Sequence, residues 1–299
     1  MRDDKNLHFE QKDNKMLLVQ KITLYLKLMR FNKPIGILLL LWPSLWALWI
    51  AAKGVPELKI LIVFILGTIL MRAAGCVIND IADRHFDKYV ARTKDRPLTM
   101  GAVSLKEAII LLVILSMLVL ALVLLLNRFT IALAVGGAFL AFIYPFTKRF
   151  ISFPQFILGL AFAWGVLMAF SAVLTTIPPI AYLVFTITVI WALIYDTEYA
   201  MVDRDDDLKL GIKSTAILFG NADRFWIGVL QVIFVSLILF SGKALQLNTY
   251  YYFSCFIVIV LFCYQQILLH KRKNNLYFKA FLNNQWIGLI VFLGIFMSY

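Results

Sequence analysis

The chain has 299 residues, of which 62% are hydrophobic and 15% charged, and its formal net charge is +12. Soluble domains are typically about 45–50% apolar and about 25% charged, so the composition excludes a water-soluble fold. The apolar runs are continuous and do not alternate with polar residues, which favours an all-α, polytopic transmembrane helical bundle over a β-barrel.

Nine apolar segments long enough to cross the bilayer core follow one another along the chain. They lie near residues 31–52, 58–82, 105–126, 129–146, 152–173, 179–202, 224–242, 249–269 and 280–298. The first 20 residues are polar, and no linker or change of composition interrupts the rest. We therefore expect a polar amino-terminal segment over 1–20 and a single transmembrane domain over 21–299.

The distribution of Lys and Arg predicts how the bundle is oriented. If nine spans alternate, the amino-terminal segment and the loops after spans two, four, six and eight share one side, which then carries 24 of the 29 Lys and Arg residues. The positive-inside rule places this side, with the amino terminus, in the cytoplasm. Topology and contact with anionic membrane lipid account for the net charge, so no nucleic-acid partner is expected.

Acidic residues cluster at the end of the second span. The string Asn79-Asp80-x-x-Asp83-x-x-x-Asp87 separates its carboxylates by three and four residues. On a helix this spacing puts Asp80, Asp83 and Asp87 near one face, with Asn79 one turn before Asp83. Like charges so placed repel each other, and the string therefore predicts a bound cation.

The end of the sixth span repeats this pattern. Asp196, Tyr199, Asp203 and Asp207 follow one another at steps of three, four and four residues. Two carboxylate stripes on different helices are unfavourable unless a cation lies between them. Mg²⁺ fits, because it prefers oxygen ligands and is commonly bound by one or two carboxylates together with the phosphate oxygens of a substrate.

Basic side chains surround both acidic strings. Arg72 lies inside the second span, and the predicted cytoplasmic side also carries Arg84, Lys88, Arg92, Arg96, Lys148, Arg149, Arg204, Lys209 and Lys213. Carboxylates combined with cationic side chains indicate a metal-bound polyanion such as a diphosphate. Because a groove between apolar helices would accept a lipid tail, the pattern favours a polyprenyl diphosphate over a soluble nucleotide. The loop 88–104 is a candidate lid.

Two other interpretations remain open at this point. Acidic and basic residues just beyond a span often form a solvated helix end with exposed ion pairs. Acidic residues near a membrane also mark ion pathways, so a cation or proton transporter is the alternative from a different functional class. A transporter would need charged residues at an exit on the opposite side, where the chain carries few.

Both acidic strings resemble signatures of the UbiA superfamily of intramembrane aromatic prenyltransferases. Asn79 to Asp87, followed by Arg92-Thr93 and Arg96-Pro97, is similar to the N-D-x-x-D-x-x-x-D motif, and Asp196 to Asp207 is similar to the D-x-x-Y-A-x-x-D-x-x-x-D motif. The flanking strings resemble the branch of this family that prenylates 4-hydroxybenzoate. These strings lie at 30–36, 41–43, 144–149 and 213–215.

The resemblance implies a role for each matching residue. Asn79, Asp83 and Asp87 would hold one Mg²⁺, and Asp203 and Asp207 a second, with Asp80 and Tyr199 in support. Arg72, Arg92 and Lys148 would contact the diphosphate, and Arg30 the carboxylate of the acceptor. Tyr144 would lie beside an allylic cation, and Asp196 would take the ring proton.

Structural alternatives exist for several of these roles. Arg72 could simply pair with an acid, Arg92 and Lys148 could only follow the positive-inside bias, and Arg30 could be a snorkelling arginine. Tyr144 could be an aromatic residue of the membrane interface, and Asp196 could support a metal ligand instead of acting as a base.

As a whole, the resemblance implies Mg²⁺-dependent transfer of a polyprenyl group from polyprenyl diphosphate to the ring of 4-hydroxybenzoate, ortho to its hydroxyl, in ubiquinone biosynthesis. A prenyltransferase for another aromatic acceptor is the nearest alternative. The expected location is the bacterial inner (cytoplasmic) membrane, crossed several times, with the active site facing the cytoplasm.

Overall fold

The computed structural model describes residues 19–90 and 92–299. Within these ranges the chain is all-α and contains nine helices long and apolar enough to cross a membrane. They are α1 (Ile35–Ala52), α2 (Leu58–Asp83), α3 (Leu105–Val123), α4 (Arg128–Thr147), α5 (Pro154–Leu174), α6 (Pro179–Leu210), α7 (Asp223–Ala244), α8 (Thr249–His270) and α9 (Asn274–Phe296). Residues 1–18 of the predicted polar segment lie outside the described residues.

Each predicted span corresponds to one of these helices, which confirms the nine-span transmembrane bundle. The largest difference in length is at α6, which continues eight residues beyond the predicted end at residue 202. Gly211 then ends the helix in the left-handed conformation, with φ of 67°. Because α6 is uninterrupted, its acidic residues keep the helical spacing that the sequence predicts.

The first acidic string, in contrast, does not lie on one helix. Helix α2 ends at Asp83, and Asp87 begins a short 3₁₀ turn, Asp87–Tyr89. The prediction of one helical face for Asp80, Asp83 and Asp87 is therefore wrong at Asp87. Tertiary contacts hold the turn: Arg96 donates to the Asp87 carboxylate and the Thr93 hydroxyl donates to the Asp87 carbonyl. These contacts replace the hydrogen bonds of a continued helix.

The main core lies where α6 packs against α5, α7 and α9. Trp46 of α1 and Trp191 of α6 are almost fully buried there, with ring centroids 5.2 Å apart. At Gly288 of α9 an added Cβ would lie 2.3 Å from the Trp42 ring and 2.7 Å from the Trp191 ring. The absence of a side chain at this position lets α9 approach both tryptophans closely.

Helices α3 and α4 lie at the edge of the bundle. Helix α3 packs mainly on α2 and α4 mainly on α5, while α3 and α4 contact each other weakly. Most of their apolar side chains remain exposed, as expected for surfaces that face lipid.

A helical segment over residues 19–28 precedes α1 and lies beside the start of α3. Its Lys21 ammonium and Tyr25 hydroxyl donate to the carboxylate of Glu107 at 2.7 and 2.9 Å. Val19 and Ile22 remain exposed, which is typical of a helix lying in the membrane interface. Arg30, two residues after this segment, pairs with Asp80 of α2.

Candidate active site

A cavity of about 1000 Å³ opens at the end of the bundle where α2 and α6 carry their acidic residues. All thirteen residues that the sequence singles out line this one cavity: Arg30, Arg72, Asn79, Asp80, Asp83, Asp87, Arg92, Tyr144, Lys148, Asp196, Tyr199, Asp203 and Asp207. Beyond them the lining becomes apolar and is supplied by α2, α3, α4 and α5. The cavity thus has an ionic end and a hydrophobic end.

Asp83, the last residue of α2, pairs with a lysine from another helix. Lys148, which follows α4, donates from its ammonium to Asp83 Oδ2. The carboxylate is 2% exposed, and its second oxygen, Oδ1, is buried without a hydrogen-bond partner in the described part of the chain. A buried acceptor without a partner is costly, so Asp83 retains an unused site for a donor or a cation.

Asp203 on α6 is held by Arg92 from the loop that follows α2. The Arg92 Nε donates to Asp203 Oδ1 at 2.9 Å, and a terminal nitrogen donates to Oδ2, which makes the contact bidentate. The same guanidinium lies 4.6 Å from the centroid of the Tyr199 ring, one turn earlier on α6. Tyr199 therefore packs against the Arg92 guanidinium. Together with the Arg92–Asp203 ion pair, this contact links the loop after α2 to α6.

Asp80 and Asp87 share an arginine. Arg96 donates to Asp80 Oδ1 at 3.0 Å and to Asp87 Oδ2 at 2.6 Å. One terminal nitrogen of Arg30 donates to both carboxylate oxygens of Asp80, at 2.7 and 3.0 Å. The Arg30 backbone has φ of 63°, a conformation that is uncommon for a residue other than glycine. These ion pairs keep Asp87 beside α2 although it has left the helix.

The side chains of five predicted site residues have no hydrogen bond or ion pair with other residues in the ranges 19–90 and 92–299. They are Arg72, Asn79, Tyr144, Asp196 and Asp207. The Arg72 guanidinium lies against Gly36 of α1, where an added Cβ would be 2.3 Å from its Nε. The cavity therefore offers both free acceptors and a free cation to a bound molecule.

Sequence analysis did not select Lys33 or Arg96 as site residues, although both line the cavity. Burial, together with the positive charges of Arg92, Arg30 and Arg96, lowers the pKa of Lys33 below that of a free lysine. The sequence contained a signal for both residues, because Lys33 lies in the family-like string 30–36 and Arg96 lies in the family-like Arg96-Pro97 pair. The ionic end of the cavity is consequently richer in cations than predicted.

By themselves, the acidic residues supply only part of a binding site for a divalent metal. Their donors are all oxygens, which suit a hard cation such as Mg²⁺, and Asp83 Oδ1 is unpartnered. However, no three His, Cys, Asp or Glu side chains in the described ranges converge into a ready ligand set. The arrangement therefore fits a metal that is held jointly by carboxylates and by a phosphate-bearing substrate.

Fold and cavity together define an intramembrane protein with a site for an amphipathic, anionic ligand. Residues 40–296 match the model of the UbiA prenyltransferase family, and the chain belongs to this family. It is 53% identical, over 94% of its length and 98% of the relative's, to the 4-hydroxybenzoate octaprenyltransferase of Coxiella burnetii (strain CbuK_Q154). It is 54% identical to the enzyme of that name from Providencia stuartii, over 92% and 96% of the two chains.

Solved structures agree with this assignment of the fold. The apo structure of a UbiA homolog from Aeropyrum pernix K1 superposes with a TM-score of 0.77 at 25% identity, covering 87% of this chain and 97% of that one. A UbiA homolog from Archaeoglobus fulgidus, solved with GPP and Mg²⁺ bound, gives a TM-score of 0.66 at 20% identity, over 91% and 99% of the two chains. The chain is thus a multi-pass membrane prenyltransferase.

Proposed function

We infer that the protein transfers a polyprenyl group from polyprenyl diphosphate to the ring of 4-hydroxybenzoate, ortho to the hydroxyl, as a step of ubiquinone biosynthesis. The cavity is the observation that supports this most directly, because it joins an acid-and-base end to an apolar end in one space. A prenyl diphosphate has the same division into an ionic head and a hydrocarbon tail. The acceptor is inferred from relatives that are more than half identical over nearly the whole chain.

The cationic side chains at the ionic end would bind the diphosphate. Lys148 and Arg92 now neutralise Asp83 and Asp203. Phosphate oxygens can replace these carboxylates as acceptors, since guanidinium and ammonium groups bind both. The released carboxylates would then be available to a metal: Asp83, Asn79 and Asp87 for one Mg²⁺, and Asp203 and Asp207 for a second. When bound, Mg²⁺ stabilises the negative charge that develops on the departing diphosphate.

Arg72 is better placed than Arg30 to bind the acceptor's carboxylate. Arg30 already forms an ion pair with Asp80, whereas Arg72 has no ion-pair partner in the described ranges. The Arg72 Nε is buried without a hydrogen-bond partner in these ranges, and a bound carboxylate would supply one. We therefore propose that Arg72 orients 4-hydroxybenzoate and that Arg30 orders Asp80 and the metal-binding end.

The reaction breaks the bond between the first prenyl carbon and its oxygen, and both electrons leave with the diphosphate. The ring carbon ortho to the hydroxyl forms the new carbon–carbon bond to the allylic cation. The ring then loses a proton to Asp196, which borders the cavity without a hydrogen-bond partner in the described part. Tyr144 lines the same cavity and would shield the cation, and the surrounding helices would exclude the water that would destroy it.

We further propose that residues 21–299 form one domain and that the ionic end of the cavity faces the cytoplasm of a bacterium, with the protein in the inner membrane. The excess of Lys and Arg on this side supports the orientation. Access from the cytoplasm would let the water-soluble acceptor reach the cavity while the prenyl donor remains in the lipid.

The direct test is turnover by membranes that contain the protein, supplied with radiolabelled 4-hydroxybenzoate and octaprenyl diphosphate. We expect a prenylated product that requires Mg²⁺ and disappears with a chelator. A product formed equally well without a divalent metal would contradict the proposed chemistry. Turnover of another aromatic acid in preference to 4-hydroxybenzoate would contradict the proposed acceptor.

A further inference from the structure

The apolar part of the cavity has an uneven wall where α4 and α5 meet. The lining residues of α4 are small: Ala134, Gly137, Ala138 and Ala141. Helix α5 contributes the large ring of Trp164, which packs against α4 on the same wall. Because its neighbours on this wall are small, the Trp164 ring would make the largest contact with a hydrocarbon chain that passes along the cavity.

Trp164 is held in one position by the backbone of α4. Its indole Nε1 donates to the Leu133 carbonyl at 2.6 Å. An added Cβ would lie 2.6 Å from the ring at Gly136 and 2.7 Å from it at Gly137. Glycines are unfavourable inside a helix, yet this pair is what allows the indole to lie flat against α4. The local sequence of α4 therefore serves the placement of this ring.

The ring lies well away from the ionic end. Gly137 precedes Lys148 by eleven residues of α4, which is about 16 Å along the axis at 1.5 Å per residue. A geranyl tail of two isoprene units, with its diphosphate near Lys148, ends before this point. The tail of a longer donor has to pass Trp164 on its way along the cavity.

We propose that Trp164 is a specificity-determining residue that contacts the distal isoprene units of the donor and so favours long prenyl chains over short ones. This inference rests on the proposed prenyl transfer. The indole gives the tail a flat apolar face, and its hydrogen bond to α4 prevents the ring from swinging into the passage. Trp164 takes no part in the bond-breaking step, because the reacting carbon lies at the ionic end.

The test compares kcat/KM for octaprenyl and geranyl diphosphate in the full-length enzyme with Mg²⁺ and 4-hydroxybenzoate. In Trp164→Ala we expect kcat/KM for the octaprenyl donor to fall about tenfold as the aromatic contact is lost, with the geranyl value within about twofold of wild type. Trp164→Phe keeps a ring and should retain most of the preference. Trp286→Ala, which removes an exposed tryptophan of α9, is the matched control and should leave both values unchanged.

Gly136→Ala gives an independent variant, because Gly136 does not line the cavity and its new methyl group acts only by displacing the indole. It should lower the octaprenyl value selectively, and combining it with Trp164→Ala should cause no further loss. Equal changes for both donors in these variants would overturn the role of Trp164. A wild-type enzyme that uses neither donor would instead reject the proposed function.

Discussion

Three acidic residues at the ionic end, Asp80, Asp83 and Asp87, are each at most 5% exposed. Buried charges of this kind are tolerated only with close partners, and each of them has a cationic one. The pairs satisfy the residues in the absence of a ligand, and the same cations suit phosphate. At the residue scale, the cationic side chains of the site would therefore exchange their carboxylate partners for the phosphate oxygens of a bound diphosphate.

Replacing Asp83 or Asp203 by Asn should lower kcat/KM at least a hundredfold, a loss of about 2.7 kcal/mol in transition-state stabilisation, because an amide cannot hold the metal as a carboxylate does. Steady-state turnover of labelled 4-hydroxybenzoate measures this loss. Asp205→Asn is the matched control, since Asp205 lies on the same helix as Asp203 but is exposed and does not line the cavity. Near-normal turnover in both site variants would show that these residues are not metal ligands.

Gly36→Ala should weaken binding of the acceptor without affecting the donor. The new methyl group would overlap the Arg72 guanidinium, which must then move away from its place in the cavity. We expect KM for 4-hydroxybenzoate to rise about tenfold, or roughly 1.4 kcal/mol, with KM for the prenyl donor unchanged. Gly228→Ala is a suitable control, because its nearest neighbour, the Gln266 side chain, would be at an ordinary 3.5 Å. An unchanged acceptor KM would remove Arg72 from that role.

At the element scale, the acidic end of α6 depends on a buried ion-pair cluster outside the cavity. Asp223 at the start of α7 is fully buried and accepts hydrogen bonds from Arg204 of α6 and from Arg272 in the α8–α9 connection. Arg204 directly follows Asp203. The cluster therefore fixes the end of α6 relative to α7, α8 and α9.

Asp223→Ala should destabilise the protein, because Arg204 and Arg272 both lose their shared partner, the buried Asp223 carboxylate. Removing one member of a buried ion pair typically costs about 3–5 kcal/mol. Thermal unfolding in detergent should show a marked decrease in Tm. Lys21→Ala, which breaks an exposed pair with Glu107, is the comparison and should have a much smaller effect. Equal Tm values for the two variants would argue against the conclusion that Asp223 fixes the end of α6 relative to the neighbouring helices.

For the whole molecule, the uneven distribution of charge and the position of the cavity are linked. The cations that line the ionic end also contribute to the excess of Lys and Arg on one side of the bundle. The same residues thus would bind the diphosphate and orient the protein in the membrane. The orientation can be measured independently of activity.

Lys94 and Val55 lie on opposite sides of the bundle and are both exposed. In a protein whose three native cysteines are replaced, we expect Lys94→Cys to react with a membrane-impermeant maleimide only after the inner membrane is permeabilised. Val55→Cys should react in intact spheroplasts, because the short loop between α1 and α2 would face outward. The reverse pattern of labelling would overturn the predicted topology while leaving the site itself in place.

Much of the architecture could be predicted from the sequence because it depends on local properties. Apolar runs of sufficient length predict nine helices, and the regular spacing from Asp196 to Asp207 holds because α6 is uninterrupted. The residues of the ionic end could be selected as well, since acidic and basic residues are rare in spans and conspicuous where they occur.

Only the tertiary structure decided how these residues are paired. Which segments become neighbours determines that α2 ends at Asp83, that Arg30 pairs with Asp80, and that the Arg72 Nε has no hydrogen-bond partner among the described residues. Local spacing does not contain that information. The same is true of Trp164, an unremarkable apolar residue in the sequence, whose placement depends on two glycines of another helix. Hydrophobicity and helical periodicity act within a segment, whereas ion pairing and close packing act between segments that folding brings together.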